Sequence, residues 1–103
     1  MSTEEIIKLI KNYDVQSSFS HFSKEVTPPF ITYLIDGTSN FDADDSVYYQ
    51  VDNIRLELYT RENIIDEEKK LETYLTSNQI LWEKTAEDWI DEEKVMMTVY
   101  ELG

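Results

Sequence analysis

The chain contains no cysteine, which excludes disulfides, thiolate metal centres and cysteine nucleophiles. Its two glycines, Gly37 and Gly103, are too few for a glycine-rich phosphate loop. The two prolines, Pro28 and Pro29, are adjacent; they break any helix there and favour extended backbone. The single histidine, His21, sits in a Ser-Phe-Ser-His-Phe-Ser context. A Ser–His pair needs a third group to orient the base, and local sequence supplies none, so an exposed or edge-strand histidine is the simpler reading. Apolar runs are only a few residues long, so nothing spans a membrane as a helix. The N-terminal MSTEEIIKLIKNY lacks the basic start and apolar centre of a signal peptide. The expectation is a protein made and kept in a cytoplasm, or in an assembly built there. Basic residues are scarce as well: 9 Lys and Arg face 22 Asp and Glu, a formal net charge of −13. Direct binding of nucleic-acid phosphates needs a basic footprint and is disfavoured. Such acidity serves solubility, complementarity to a basic protein partner, or imitation of nucleic acid.

What is present is the composition of a folded protein. Hydrophobic residues make up 41% and aromatics 13% of 103 residues, enough for a single domain with one modest core. The most informative stretch is 47–60, VYYQVDNIRLELYT, which reads as one very long strand. Its apolar positions are odd at first (Val47, Tyr49, Val51) and then even (Ile54, Leu56, Leu58). The slip near Asp52-Asn53 predicts a β-bulge, or a strand that turns its other side to a neighbour. At about 3.3 Å per residue such a strand spans roughly 46 Å. A compact domain of this size has a radius of gyration of about 13 Å, so the strand is expected to bend or overhang.

The remaining elements fall around it. Ser2-Thr3-Glu4-Glu5 has the spacing of a capping box, and Ile6, Leu9, Ile10 and Tyr13 follow at helical intervals, predicting a helix to about Asn12. Residues 16–24 alternate loosely and suggest a short edge strand. Residues 30–35 (FITYLI) read as a strand buried on both faces, and 36–46 (DGTSNFDADDS) as an exposed loop. A second helix starts with Thr60 or Asn63 as cap and runs to about Ser77, with Asn78 as a left-handed terminator. Residues 80–84 (ILWEK) predict a short strand, 85–93 an acidic connector with one helical turn around Trp89, and 94–102 a closing strand. The class is α+β: one sheet of about four mostly antiparallel strands, two helices on one face, order α-β-β-α-β-β, and a long protruding hairpin.

Each candidate site has a bland alternative. Asp42, Asp44 and Asp45, after Asp36, resemble scattered ligands for a hard cation. They lack the central glycine and closing glutamate of a calcium loop, so a solvated acidic loop is the simpler reading. Glu67-Glu68 and Asp91-Glu92-Glu93 are carboxylate clusters with Lys69, Lys70 and Lys94 nearby. Acid–base work would need them set across a cleft, and a solvated face is simpler. Trp82 alternates with Ile80 and belongs to the core. Trp89 is either a lid over the core or an interface anchor. Tyr33, Tyr48, Tyr49 and Tyr59 give the strands an amphipathic surface. Only Arg55 and Arg61 lie nearby among acids, which points to protein contact or cross-strand packing rather than nucleic acid. Every usual route to an enzyme is weak.

The segments PPFITYL (28–34), SNFDADDSVYYQVDNIRLELYT (39–60), EKKLE (68–72), ILWEK (80–84) and VYEL (99–102) carry a resemblance. Together they resemble small tail-completion, or tail-terminator-type, proteins of long-tailed phages and prophages of Gram-positive bacteria. The resemblance spans most of the chain from Pro28 onward. It implies a subunit of a ring, commonly a hexamer, that caps the tail tube and joins it to the head's connector. It further implies a virion protein assembled in the host cytoplasm, with no cofactor or metal and no enzymatic activity. The strong acidity is a departure that the family does not demand. The expected subunit contacts are Tyr48, Tyr49, Gln50, Asp52 and Arg55 on the hairpin, with Trp89 as a second candidate. Asp42, Asp44 and Asp45 would repel DNA phosphates if they faced a central channel. The alternative from another class is an acidic inhibitor of a host nucleic-acid enzyme that imitates DNA.

Overall fold

The computed structural model describes residues 2–40 and 50–102, with the backbone alone at 36–40 and 50–52. Helix α1 (Thr3–Lys11) starts as its capping box dictates. Ser2 Oγ accepts the Glu5 N–H at 3.2 Å, and Glu5 Oε1 accepts the Ser2 N–H at 2.9 Å. The backbone bond from Ser2 holds the Glu5 carboxyl below the usual carboxylate range. Helix α2 (Ile64–Ser77) has Asn63 as its N-cap, in a left-handed conformation with no side-chain cap bond. The left-handed residue that ends it is Gln79 (φ 62°) rather than Asn78, whose amide instead donates to the Tyr74 carbonyl.

Among the described residues five strands form one sheet, in the order β1-β2-β3-β5-β4. They are β1 (Gln16–Phe19), β2 (Phe30–Asn40), β3 (Gln50–Thr60), β4 (Trp82–Ile90) and β5 (Val95–Leu102). β1 runs parallel to β2 and the other pairs are antiparallel. The α+β class fits, with one strand more than the sequence suggested. The loose alternation at 16–24 condenses into the four-residue β1, and the acidic connector is strand.

The core lies between one face of the sheet and both helices. Alternation places Ile31 and Tyr33 of β2, Ile54, Leu56 and Leu58 of β3, and Tyr100 and Leu102 of β5 on that face. Ile6 and Ile10 of α1 and Leu71 and Leu75 of α2 cover them. Tyr13 follows α1 and packs on Tyr74 at 4.7 Å between ring centroids, while the Tyr74 hydroxyl donates to the Leu9 carbonyl at 2.8 Å. Burial raises the Tyr13 phenol above its ordinary value, with Glu67 and Asp14 adding to the effect. The opposite face is partly covered by the crossover at 20–29, whose Phe22 meets Phe30 edge-on at 5.5 Å.

Three expectations are corrected. β2 does not stop at Ile35 but continues to Asn40, so 36–40 is paired strand rather than loop. The bulge lies on β2, not β3: Asp36 and Gly37 stand opposite Asn53 alone, between the pairs Ile35–Ile54 and Thr38–Asp52. Gly37, free of a Cβ, suits that position. The third correction is β4, which runs unbroken from Trp82 to Ile90 with a one-residue irregularity at Thr85 and no helical turn at Trp89.

Candidate assembly surface

β2 and β3 pair with each other farther than either pairs with its outer neighbour. β1 covers β2 only over Phe30–Tyr33 and β5 covers β3 only over Ile54–Thr60. Beyond Ile35 and Ile54 the pairs Thr38–Asp52, Ser39–Val51 and Asn40–Gln50 continue as a two-stranded ribbon. At about 3.3 Å per residue this adds roughly 15 Å past the last β5 pair. The molecule is correspondingly long, 49 × 28 × 23 Å, with a radius of gyration of 14.8 Å. On neither outer edge does the ribbon pair with a further strand among the described residues, a geometry suited to receiving another chain.

The helix-free face of the sheet carries an ordered patch that runs from Arg55, next to the ribbon, to the Phe30–Tyr59 pair at the opposite end of β2 and β3. Phe30 stacks on Tyr59 at 4.6 Å. Glu57 sits at its centre and accepts from Thr32 Oγ1 at 2.7 Å, Arg55 Nε at 3.0 Å and the Tyr59 hydroxyl at 3.4 Å. Burial, then the Glu57 charge, lifts the Tyr59 phenol above its ordinary value. Beside the patch a groove of about 370 Å³ runs under the crossover, lined by His21, Phe22, Lys24, Phe30, Tyr59 and Arg61 among others. Arg61 is anchored there by the carbonyls of Glu93 and Lys94, at 3.1 and 3.2 Å. His21 is exposed, its Nδ1 3.4 Å from the Ser20 hydroxyl.

A second polar constellation lies under α2. Lys84 of β4 places its ammonium 3.2 Å from Glu68, 3.3 Å from Glu72 and 3.3 Å from Glu87. Thr98 Oγ1 donates to Glu68 at 2.5 Å and the Tyr100 hydroxyl to Glu72 at 2.7 Å. Burial alone would lower the Lys84 pKa, but its bonds to Glu68, Glu87 and Glu72 outweigh that and hold it above the ordinary lysine value. Burial first, then the bond to Glu72, pushes the Tyr100 phenol up as well. Both groups therefore keep their protons at neutral pH, so neither is primed as a base or nucleophile. The cluster is an ionic clasp fastening α2 to β4 and β5, with an ammonium at its centre. Among the described residues no group of three or more His, Asp and Glu is placed to hold a metal ion.

The residues singled out by sequence divide as follows. Tyr48, Tyr49, Asp42, Asp44 and Asp45 lie outside the described residues. Gln50 and Asp52 are paired backbone on the ribbon. Arg55 stands at its base, ion-paired to Glu57. Trp89 is on edge strand β4 and 48% exposed, so it is no lid over the core. Tyr33, expected on an amphipathic surface, is buried. Trp82 packs against the core as expected, its indole N–H donating to Thr76. Glu68, read as part of a solvated face, is 5% exposed. Its signal was present in the sequence: Glu68, Leu71, Glu72 and Leu75 share a helix face at three- and four-residue intervals. Comparison of the chain with family models, curated proteins and solved structures gives no match, so function is argued from this geometry.

Proposed function

We propose that this protein is a non-enzymatic assembly subunit whose β2–β3 ribbon grips an adjacent copy, in a ring of the tail-completion type at the end of a phage tail or at the head–tail junction. The observation that carries the reading is the ribbon itself, paired internally yet, among the described residues, joined by no further strand on either side beyond Ile35 and Ile54. A free-standing two-stranded ribbon is marginal in water, and contact with another chain removes that weakness. Arg55, held by Glu57 next to the ribbon, supports the same reading, because a held arginine has the chemistry of an interface centre. Phage identity, virion location and the partners, a tail-tube and a connector protein, rest on the sequence resemblance. In such a ring the acidic 42–45 segment would keep DNA from sticking to the lumen.

The DNA-mimic alternative draws on the carboxylates of β4 and the turn after it. Lys84 and Lys94 neutralise part of that charge by pairing with Glu87 and Asp91, which breaks the even spacing a mimic needs. Light scattering of the purified protein, alone and mixed with a tail-tube protein, tests the reading. A mass several times 12.2 kDa and co-elution with the tube are expected. A monomer that ignores the tube protein and captures a purified host nuclease would replace the reading with the mimic.

A further inference from the structure

β4 is the longer of the two outer strands of the sheet. Among the described residues Trp82–Ile90 pairs with β5 on one side and with no strand on the other, whereas β1 at the far edge offers only four residues. The irregularity at Thr85 divides the β4 edge, and the run from Ala86 to Ile90 is regular. At about 3.3 Å per residue that run presents roughly 16 Å of backbone whose outward N–H and C=O groups a further strand can take up.

Register fixes what each face of that edge shows. Glu87, paired with Thr98, and Trp89, paired with Met96, lie on the helix-bearing face. Glu83, Ala86, Asp88 and Ile90, paired with Glu101, Val99, Met97 and Val95, lie on the helix-free face. On the helix-bearing face Lys84 already takes the Glu87 charge, and what remains is the Trp89 indole, 48% exposed. On the helix-free face Glu83 and Asp88 are exposed, with no cation on either. Over 83–94 the acids Glu83, Glu87, Asp88, Asp91, Glu92 and Glu93 outnumber Lys84 and Lys94, and both lysines are already paired. Charge alone would serve to protect an edge from aggregation. An indole left half in water on the same edge works against that protection and has the character of an anchor for a partner.

The geometry points to strand addition: an extended segment of a partner protein, alternating cationic and apolar residues, joins the sheet along Ala86–Ile90 of β4. Side chains directly opposite across such a pair lie about 4.5–5.5 Å apart. A lysine or arginine turned to the helix-free side therefore meets Asp88, with Glu83 beyond the irregularity, and its apolar neighbour, turned to the other side, covers Trp89. Main-chain bonds supply the affinity of such a contact and the alternation supplies its specificity. A second copy of this chain is not the occupant, because no described strand carries more than one cation. The ribbon takes no part, so this contact and the ring reading stand or fall separately.

The probe is a short peptide of alternating lysine and valine, titrated into the full-length chain at physiological ionic strength. Binding is read by calorimetry and by hydrogen exchange of the backbone amides. The peptide is expected to bind and to slow exchange at outward-facing amides within 86–90. Two control peptides carry the same charge. One gathers its lysines and valines in separate blocks, which puts cations on both faces of a strand, and the other is N-methylated at every amide, which removes its ladder donors. Each should bind at least about tenfold more weakly than the alternating peptide. On the protein side E83K/D88K and Trp89→Ala, all at exposed positions and checked for folding by circular dichroism, should weaken the alternating peptide to a similar degree. Absence of binding, binding without slowed exchange within 86–90, or undiminished binding by either variant overturns the proposal. So does equal binding of either control peptide, which would reduce the contact to plain attraction between a cation and a chain of net charge −13.

Discussion

The body of this molecule and its ribbon are built from the same two strands by different physics. From Phe30 to Tyr33 and from Ile54 to Thr60, β2 and β3 are flanked by other strands and roofed by helices, and Ile31, Leu56 and Leu58 lose all contact with water. Past the bulge at Asp36 and Gly37 the same strands pair with each other and, among the described residues, with no third strand. Stability in the body comes from burial, whereas in the ribbon the backbone ladder joins two strands, a pairing that is marginal by itself. A residue's effect should therefore depend more on which side of the bulge it occupies than on its chemistry.

The sharpest break is in the body. Leu56→Ala or Leu71→Ala should cost about 2–5 kcal/mol, read by urea or thermal unfolding, because a sealed core cannot collapse around the cavity. Next comes the ionic clasp. Lys84→Met leaves Glu68 and Glu72 without their cation and should cost about 1–3 kcal/mol at pH 7. Its pH dependence has a definite sign. Lys84 and Tyr100 both have folded-state pKa values raised above their ordinary ones, so the unfolded chain gives up these protons first on going alkaline. Their contribution is complete below about pH 10 and is lost as pH rises further toward the folded values. Melting temperatures between pH 7 and 11 should fall steeply at the alkaline end for the natural chain and less steeply for Lys84→Met.

Smaller effects follow at the helix starts. Ser2→Ala removes the capping hydroxyl of α1 and should cost about 1 kcal/mol, a drop of a few degrees in Tm. Asn63→Gly should be neutral or slightly stabilising, since Asn63 makes no cap bond and its left-handed backbone suits glycine. The smallest expected change in stability belongs to the ribbon. Replacing residues 39–51 by Asn-Gly should leave the melting temperature within a degree or two, because Ile31, Tyr33, Ile54, Leu56 and Leu58 of the core are all kept.

How much of this the sequence revealed follows the same division. Where side-chain burial dictates structure, the pattern was readable. Ser2 and Glu5 announced α1, the even positions of β3 announced the core face, and Ile80 and Trp82 were placed correctly. Where backbone pairing dictates it, the pattern was silent. Residues 36–40 are rich in turn formers yet are held extended by β3. Residues 85–90, acidic and mostly exposed, are held extended by β5 on one edge only. The slip in alternation on β3 signals a bulge without saying where it lies, since a bulge is a property of a pair and one strand's sequence does not say which partner carries the extra residue, here β2. The clasp around Lys84 has no signature in the sequence because its members come from α2, β4 and β5, and only the fold brings them together.

The most direct test compares the mass of the natural chain with that of the 39–51 replacement, by light scattering at the same concentration and salt. The account predicts an oligomer of the 12.2 kDa chain for the first and a monomer of the shortened chain, equally well folded, for the second. Equal oligomers from both chains would contradict it.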